Sequence, residues 1–250
     1  MSRRSTLMAE HDDVVAIVLC GGLGTRLGEM TKSQPKPMVD VAGRPFIERV
    51  LDNLVEQNVS RIVLAVSYLR SLIQDYFGDS YRGVAIEYSV EDEPLGTGGA
   101  IVNAVRQCQL EQQTLLVVNG DSYCEFDLSG LCRQLTDAHI VMVVKYLHNT
   151  GRYGTTQLDD DGRVVGFHEK TRSVSGYINA GIYLLRGSEF DGVEVERFSF
   201  EKTYLEKAAD RQWVLLSQQS DSYFIDIGIF DDYMLANAYF KEHDSALPVR

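Results

Sequence analysis

Val14 to Met38 reads VVAIVLCGGLGTRLGEMTKSQPKPM. It opens on an apolar run, Val14 to Cys20, rich in β-branched side chains and closed by glycine. A short run of this kind fits a strand buried on both faces of a parallel sheet. Gly21-Gly22-Leu23-Gly24-Thr25-Arg26 follows. Its glycines let the main chain turn sharply and bring bare N–H groups up to a ligand. Arg26 stands inside the loop, and Lys36 lies between Pro35 and Pro37, whose rings stiffen the backbone around it. Amide donors with two cations nearby suit a polyphosphate.

Other readings of the loop fit less well. In a dinucleotide fingerprint Gly22-x-Gly24-x-x-Leu27 lacks its third glycine, because Gly28 comes one residue late. Glu29 to Pro37 carries two prolines and no apolar period, so no helix is expected to start there. No glycine is followed by Lys-Ser or Lys-Thr, which excludes a Walker loop. A plain strand-to-helix turn explains neither Arg26 nor Pro35-Lys36-Pro37.

The chain has 250 residues and a formal net charge of −12. That length suits one α/β domain, expected over residues 14–250, with residues 1–13 as a loose arm. The acidic balance argues against nucleic acid or an anionic membrane as partner, so a phosphate site must be a local positive island. No apolar run approaches the length of a membrane span, and the arm lacks the apolar core of a signal peptide. Cys20, Cys108, Cys124 and Cys132 form no Cys-x-x-Cys pair; they read as free thiols in a reducing cytoplasm, not a zinc site.

Along the chain, Pro45 to Gln57 has helical apolar spacing, Arg61 to Val66 reads as a strand, and Leu69 to Phe77 as a helix stopped by Gly78. Val84 to Tyr88 is a strand; Glu91 to Gly99 is a second glycine loop, and a helix carrying Ala100, Ile101, Ala104 and Val105 follows it. Thr114 to Val118 is a strand ending at Asn119-Gly120-Asp121, followed by helix Asp127 to Asp137 and strand Ile140 to Tyr146. This alternation predicts an α/β fold with a Rossmann-like mixed, mostly parallel sheet and helices on both faces. A hairpin, Thr155 to Leu158 with Val164 to His168, and the strand Tyr177 to Leu185 predict a small β-rich lobe. Helix Phe198 to Ala209, strands Trp213 to Ser217 and Tyr223 to Asp226, and a last helix through Ala236 and Phe240 complete the chain. No internal repeat is present, so no left-handed β-helix is expected.

Ligands of such sheets lie at the carboxyl ends of the strands. The Gly21 loop, the Glu91–Gly99 loop, Asn119-Gly120-Asp121 and Asp226 all fall at such ends. Asp121, immediately past an apolar strand, is a good hard-oxygen ligand for magnesium, whereas Asp226 reads equally as a ligand or as the N-cap of the last helix.

The Gly21-Gly22-x-Gly24-Thr25-Arg26-Leu27 loop followed by Pro35-Lys36-Pro37-Met38 resembles the signature of the sugar-1-phosphate nucleotidyltransferases, and matches continue in family order from Ala16 to Gly228. The resemblance implies a soluble cytoplasmic enzyme that joins a sugar 1-phosphate to a nucleoside triphosphate and releases pyrophosphate, with Mg2+ as cofactor. It implies nucleotide contacts from Leu19, Gly21, Gly22, Gly24, Thr25, Glu91, Pro94, Gly96 and Thr97. Arg26 would hold the β- and γ-phosphates, Lys36 would lie by the α-phosphate, and Asp121 and Asp226 would hold the metal. Arg152-Tyr153-Gly154, Glu169-Lys170 and Asn179 resemble the sugar-phosphate side, although Thr171 replaces the proline usual after Glu-Lys. The nucleophile is already an anionic phosphate oxygen, so catalysis rests on positioning and charge neutralisation.

Glu91, three residues before Pro94, resembles the guanylyltransferases of the family that take heptose or mannose 1-phosphate, which points to GTP for surface polysaccharide synthesis. A carboxylate only accepts hydrogen bonds; guanine offers N1–H and N2–H2 on one edge, whereas uracil and thymine flank one N–H with carbonyls. The bland alternative is that Glu91-Asp92-Glu93 is a solvated acidic turn. A thymidylyl-, uridylyl- or cytidylyltransferase, a non-catalytic sugar-nucleotide sensor and self-assembly into an oligomer stay open at this point.

Overall fold

The computed structural model describes residues 14–22, 25–168, 175–208, 211 and 213–244. The arm expected at 1–13 lies outside them. The described chain begins with β1 (Val14–Leu19), then a tight hairpin of β2 (Asp40–Val41) and β3 (Arg44–Pro45). Helix α1 (Phe46–Glu56), β4 (Arg61–Val66) and α2 (Arg70–Phe77) follow. Next come β5 (Ser80–Tyr81), β6 (Val84–Val90), α3 (Gly96–Gln107), β7 (Thr114–Asn119) and β8 (Ser122–Cys124). Helix α4 (Leu128–Leu135), β9 (Ile140–Leu147), the antiparallel pair β10 (Thr155–Leu158) and β11 (Val164–His168), and the long β12 (Gly176–Arg186) lead into the last third. The described chain closes with β13 (Leu215–Ser220), β14 (Phe224–Asp226) and α5 (Phe230–Asp244).

The centre is the expected parallel sheet. β1 lies between β4 and β7, and β6 extends the sheet beyond β4, all parallel. β1 is apolar throughout because both of its faces are covered. Ala16 and Val18 face a core with Phe46, Ile47, Leu51 and Leu54 of α1 and Phe240 of α5. Val15 and Ile17 face a second core with Ile101 and Val105 of α3 and with Phe200 and Tyr204. Each large aliphatic or aromatic side chain buried in this way contributes about 1.5–3 kcal/mol.

The order departs from simple β-α repetition after β7. β12 enters antiparallel beside β7, β9 pairs antiparallel with β12, and β13 runs parallel to β9. β12 serves two neighbours along one edge: Ile182–Arg186 pair with β7, and Tyr177 and Ile178 pair with β10. Its register against β9 shifts between Asn179 and Tyr183, where Gly181 has φ +76°. The bulge lets one strand belong to the main sheet and to the β10–β11 lobe.

Two expectations are corrected. The second glycine loop is not all loop, because α3 already begins at Gly96. Phe198 to Ala209 is not a regular α-helix: Glu201–Leu205 forms one wide turn, with Glu206 N–H bonded to the Glu201 carbonyl at 2.9 Å. Its apolar residues Phe200, Tyr204 and Ala208 have helical spacing and are buried, which makes the stretch read as a helix although the turn is wider. No regular α-helix follows the Gly21 loop: Thr25–Thr31 and Lys36–Met38 are tight turns, the first broken at Gly28. Among the described residues no helix is long and apolar enough to cross a membrane.

Candidate active site

The strand ends meet as the topology requires. The Leu19 carbonyl at the end of β1 accepts Gly120 N–H at 3.0 Å, and a Cβ at Gly120 would come within 2.8 Å of that oxygen. Glycine between Asn119 and Asp121 therefore lets the end of β7 close onto β1 and sets Asp121 beside the glycine loop. Gly21 packs closely against the chain just past β6, on the far side of β4, since a Cβ there would come within 2.8 Å of Glu91 Oε1.

Glu91 is separated from its acidic neighbours. It is only 5% exposed, whereas Asp92 and Glu93 are exposed. Its N–H continues the pairing with β4 at Val66, and its Oε2 accepts Leu95 N–H at 2.9 Å. Burial raises its pKa, partly offset by that hydrogen bond. A solvated acidic turn does not describe this residue. Cys20 is buried, and burial, then the charges of Asp121 and Glu91, push its thiol up, so it is an inert core thiol. All four cysteines are free.

Asp121 and Asp226 come together through a ladder that the sequence did not announce. β8 pairs antiparallel with β14, setting Asp226 opposite Ser122, and Ile227 N–H bonds to the Asp121 carbonyl at 3.1 Å. Lys36 closes the group: its Nζ donates to Asp121 Oδ2 at 2.6 Å and to Asp226 Oδ1 at 3.4 Å. Asp226 is not the N-cap of α5, which starts at Phe230; its Oδ1 accepts Gly228 N–H at 2.6 Å instead. Burial, then the Asp121 charge, raise the Asp226 pKa, and Lys36 only partly offsets them. Two carboxylates against one ammonium leave a local charge of −1, which suits a further cation. Among the described residues no group of three or more His, Cys, Asp or Glu offers a complete metal cage. That donor set fits magnesium, which binds through one or two carboxylates and completes its shell with water and substrate phosphates.

A cleft of about 1190 Å³ opens beside this group. Arg26, Gly154, Asn179, Asp226 and Gly228 line it, with Arg152 and Tyr153 on the turn beneath. Asn179 sits at the β12 bulge, its Nδ2 donating to the Tyr183 hydroxyl at 2.7 Å and its Oδ1 accepting Gly181 N–H at 2.8 Å. Gly22 has open space where a Cβ would stand, whereas Gly98 and Gly99 are packed against Phe198 and Glu196. Thr97 is turned to its own chain: its hydroxyl donates to Glu201 Oε2 at 2.7 Å and accepts Phe200 N–H at 2.9 Å. Gly24, Glu169 and Lys170 lie outside the described residues, as does the side chain of Thr25. Glu201, Lys202 and Glu206 also line the cleft; nothing in their sequence context marked them.

Residues 15–243 match the family described as nucleotidyl transferase. The chain belongs to the nucleotidyl transferase family. This nucleotidyl transferase is 41% identical over 222 residues to the D-glycero-alpha-D-manno-heptose 1-phosphate guanylyltransferase of Campylobacter jejuni, covering 87% of this chain and 96% of the relative. It is 38% identical over 235 residues to the enzyme of the same name from Aneurinibacillus thermoaerophilus, covering 91% of this chain and 99% of the relative. The crystal structure of HddC from Yersinia pseudotuberculosis complexed with GMP-PN superposes on this nucleotidyl transferase with a TM-score of 0.80 at 36% identity, covering 91% of this chain and 99% of the other.

Proposed function

We propose that this nucleotidyl transferase is a cytoplasmic guanylyltransferase joining D-glycero-D-manno-heptose 1-phosphate to GTP, for surface polysaccharide synthesis. What most supports the reading is the convergence of Arg26, Asn179, Gly154 and Asp226 on one cleft, with Lys36 joining Asp226 to Asp121, in a chain alignable nearly end to end with heptose 1-phosphate guanylyltransferases.

In this reading a phosphate oxygen of the heptose 1-phosphate attacks the α-phosphorus of GTP, and the bond to the β,γ-pyrophosphate breaks. Leu19, Gly21, Gly22, Gly24, Thr25, Pro94 and Gly96 border the nucleotide, and Glu91 accepts the N1–H and N2–H2 edge of guanine. Arg26 neutralises the departing phosphates and Lys36 the α-phosphate. Gly154, Glu169, Lys170 and Asn179 hold the sugar phosphate. Asp121 and Asp226 would hold Mg2+, which would supply charge neutralisation for the reacting phosphates. Thr97 acts from behind this surface, because its hydroxyl is committed to Glu201 and Phe200.

A pyrophosphate-release assay with GTP, ATP, CTP, UTP and dTTP against heptose, mannose and glucose 1-phosphates tests this reading. GTP with the heptose phosphate should give the highest kcat/KM. A preference for a pyrimidine nucleotide, or for glucose 1-phosphate, would refute it.

A further inference from the structure

The cleft contains a carboxylate that the reaction as described leaves without a part. Glu201 lines the same cleft as Asn179. Its Oε2 receives two hydroxyl hydrogen bonds, from Thr97 Oγ1 and Ser199 Oγ, each at 2.7 Å. A carboxylate only accepts, so both hydroxyl protons are turned toward it. The two hydroxyls are themselves held, because Thr97 Oγ1 accepts Phe200 N–H and Ser199 Oγ accepts Lys202 N–H. Among the described residues both hydrogen bonds of Glu201 fall on Oε2, which leaves Oε1 to a ligand in the cleft.

The neighbours say what kind of ligand that is. Asn179 donates to the Tyr183 hydroxyl, and the Tyr183 ring packs edge-on against Phe200, the residue before Glu201, with ring centroids 5.1 Å apart. Glu201 therefore stands at the Asn179 end of the cleft. A phosphate would be repelled by an oriented carboxylate and belongs toward Lys36 and the Asp121–Asp226 pair, where the attacking phosphate meets the α-phosphate. A ligand presenting several O–H donors would be attracted. A sugar meets both demands when its phosphate points to the cations and its ring hydroxyls to Glu201.

We propose that Glu201 is a specificity residue that accepts hydrogen bonds from hydroxyls of the bound sugar, with Thr97 and Ser199 as positioning residues that aim it. The inference rests on the sugar-phosphate reading of the cleft. It also gives Thr97, in the first turn of α3, a part on the sugar side.

Glu201→Gln is the decisive variant. The amide oxygen can still take the two hydroxyl donors, and the cleft then meets an NH2 group, a donor where an acceptor stood. The KM for heptose 1-phosphate in pyrophosphate release should rise roughly tenfold or more, as for loss of a charge-assisted hydrogen bond. Calorimetric binding of a non-hydrolysable GTP analogue should stay at the wild-type value. Thr97→Val should give a smaller rise in the same KM, and Thr97→Ser should restore it. If Glu201→Gln melts far below wild type, Glu201→Asp takes its place, with the same split expected between sugar phosphate and nucleotide. An unchanged heptose 1-phosphate KM, or GTP-analogue binding lost in step with it, overturns the assignment. Failure of the wild type to release pyrophosphate from GTP with any sugar phosphate overturns the function itself, and shows before any variant is made.

Discussion

Glu91→Gln removes one charge just after β6 and keeps the size and shape of the side chain. In the wild type Oε2 already accepts Leu95 N–H at 2.9 Å, and Oε1 lies against Gly21. The remaining acceptor capacity is what two donors on one edge of guanine would use. Glutamine can keep the Leu95 bond through its oxygen, but its NH2 then faces a donor. A hydrogen bond to a charged group contributes about 1.5–3 kcal/mol, so kcat/KM for GTP should fall by about ten- to a hundredfold. Discrimination against UTP and dTTP should narrow, and the KM for the sugar phosphate should not move. Stability supplies an independent sign. The folded-state carboxyl of Glu91 lies above its ordinary value because it is buried. It therefore favours folding below its unfolded pKa, and that contribution is lost as pH rises through the folded value. The amide carries no such penalty, so the variant should melt no lower than wild type at pH 7, with the gap closing on acidification. Nucleotide competition kinetics and thermal melts between pH 4 and 7 read both effects. Unchanged GTP selectivity in a folded variant would refute the base-reading role.

Three further outcomes follow from the same geometry. Asp121→Asn should cut turnover by several kcal/mol of barrier, the order of a lost metal contact, while its melting curve stays cooperative; near-normal turnover at saturating magnesium would count against Asp121 as a ligand. Lys36→Met removes an ammonium that occupies both carboxylates at 2.6 and 3.4 Å, and like charges in one site repel. Mn2+ binding in the absence of nucleotide, followed by electron paramagnetic resonance, should then tighten even as turnover falls; weaker binding would show that Lys36 does not compete with the metal. Gly181→Ala sets a Cβ on a residue with φ +76°, within 2.5 Å of Asn119 Nδ2. It should destabilise the chain by about 1–3 kcal/mol, seen as a lower melting temperature, and an unchanged midpoint would show that the bulge relaxes freely.

The parallel core was legible because β1, β4 and β7 carry continuous apolar runs, and a strand covered on both faces has no other pattern. The glycines at the strand ends were legible because Gly21, after β1, and Gly120, after β7, are held by close approaches, to Glu91 and Leu19, that any side chain would obstruct. The antiparallel entry of β12 was not legible: Tyr177 to Leu185 reads as a buried strand whichever way it runs, and direction depends on the connections around it. The β8–β14 ladder, which brings Asp226 to Asp121, was half hidden because Ser122-Tyr123-Cys124 is too short to show a period. Glu91 could be told from Asp92 and Glu93 only by burial, since the three are adjacent carboxylates in sequence. Glu201 gave no signal, because its partners Thr97 and Ser199 reach it through tertiary packing.

The central claim is tested most directly by the product. The purified chain, incubated with GTP, D-glycero-D-manno-heptose 1-phosphate and magnesium, is followed by phosphorus NMR with mass spectrometry of the nucleotide fraction. Stoichiometric appearance of GDP-heptose and pyrophosphate, abolished by chelating the metal, is the predicted result. GTP left intact, or converted to GDP and free phosphate with no sugar nucleotide formed, would contradict it.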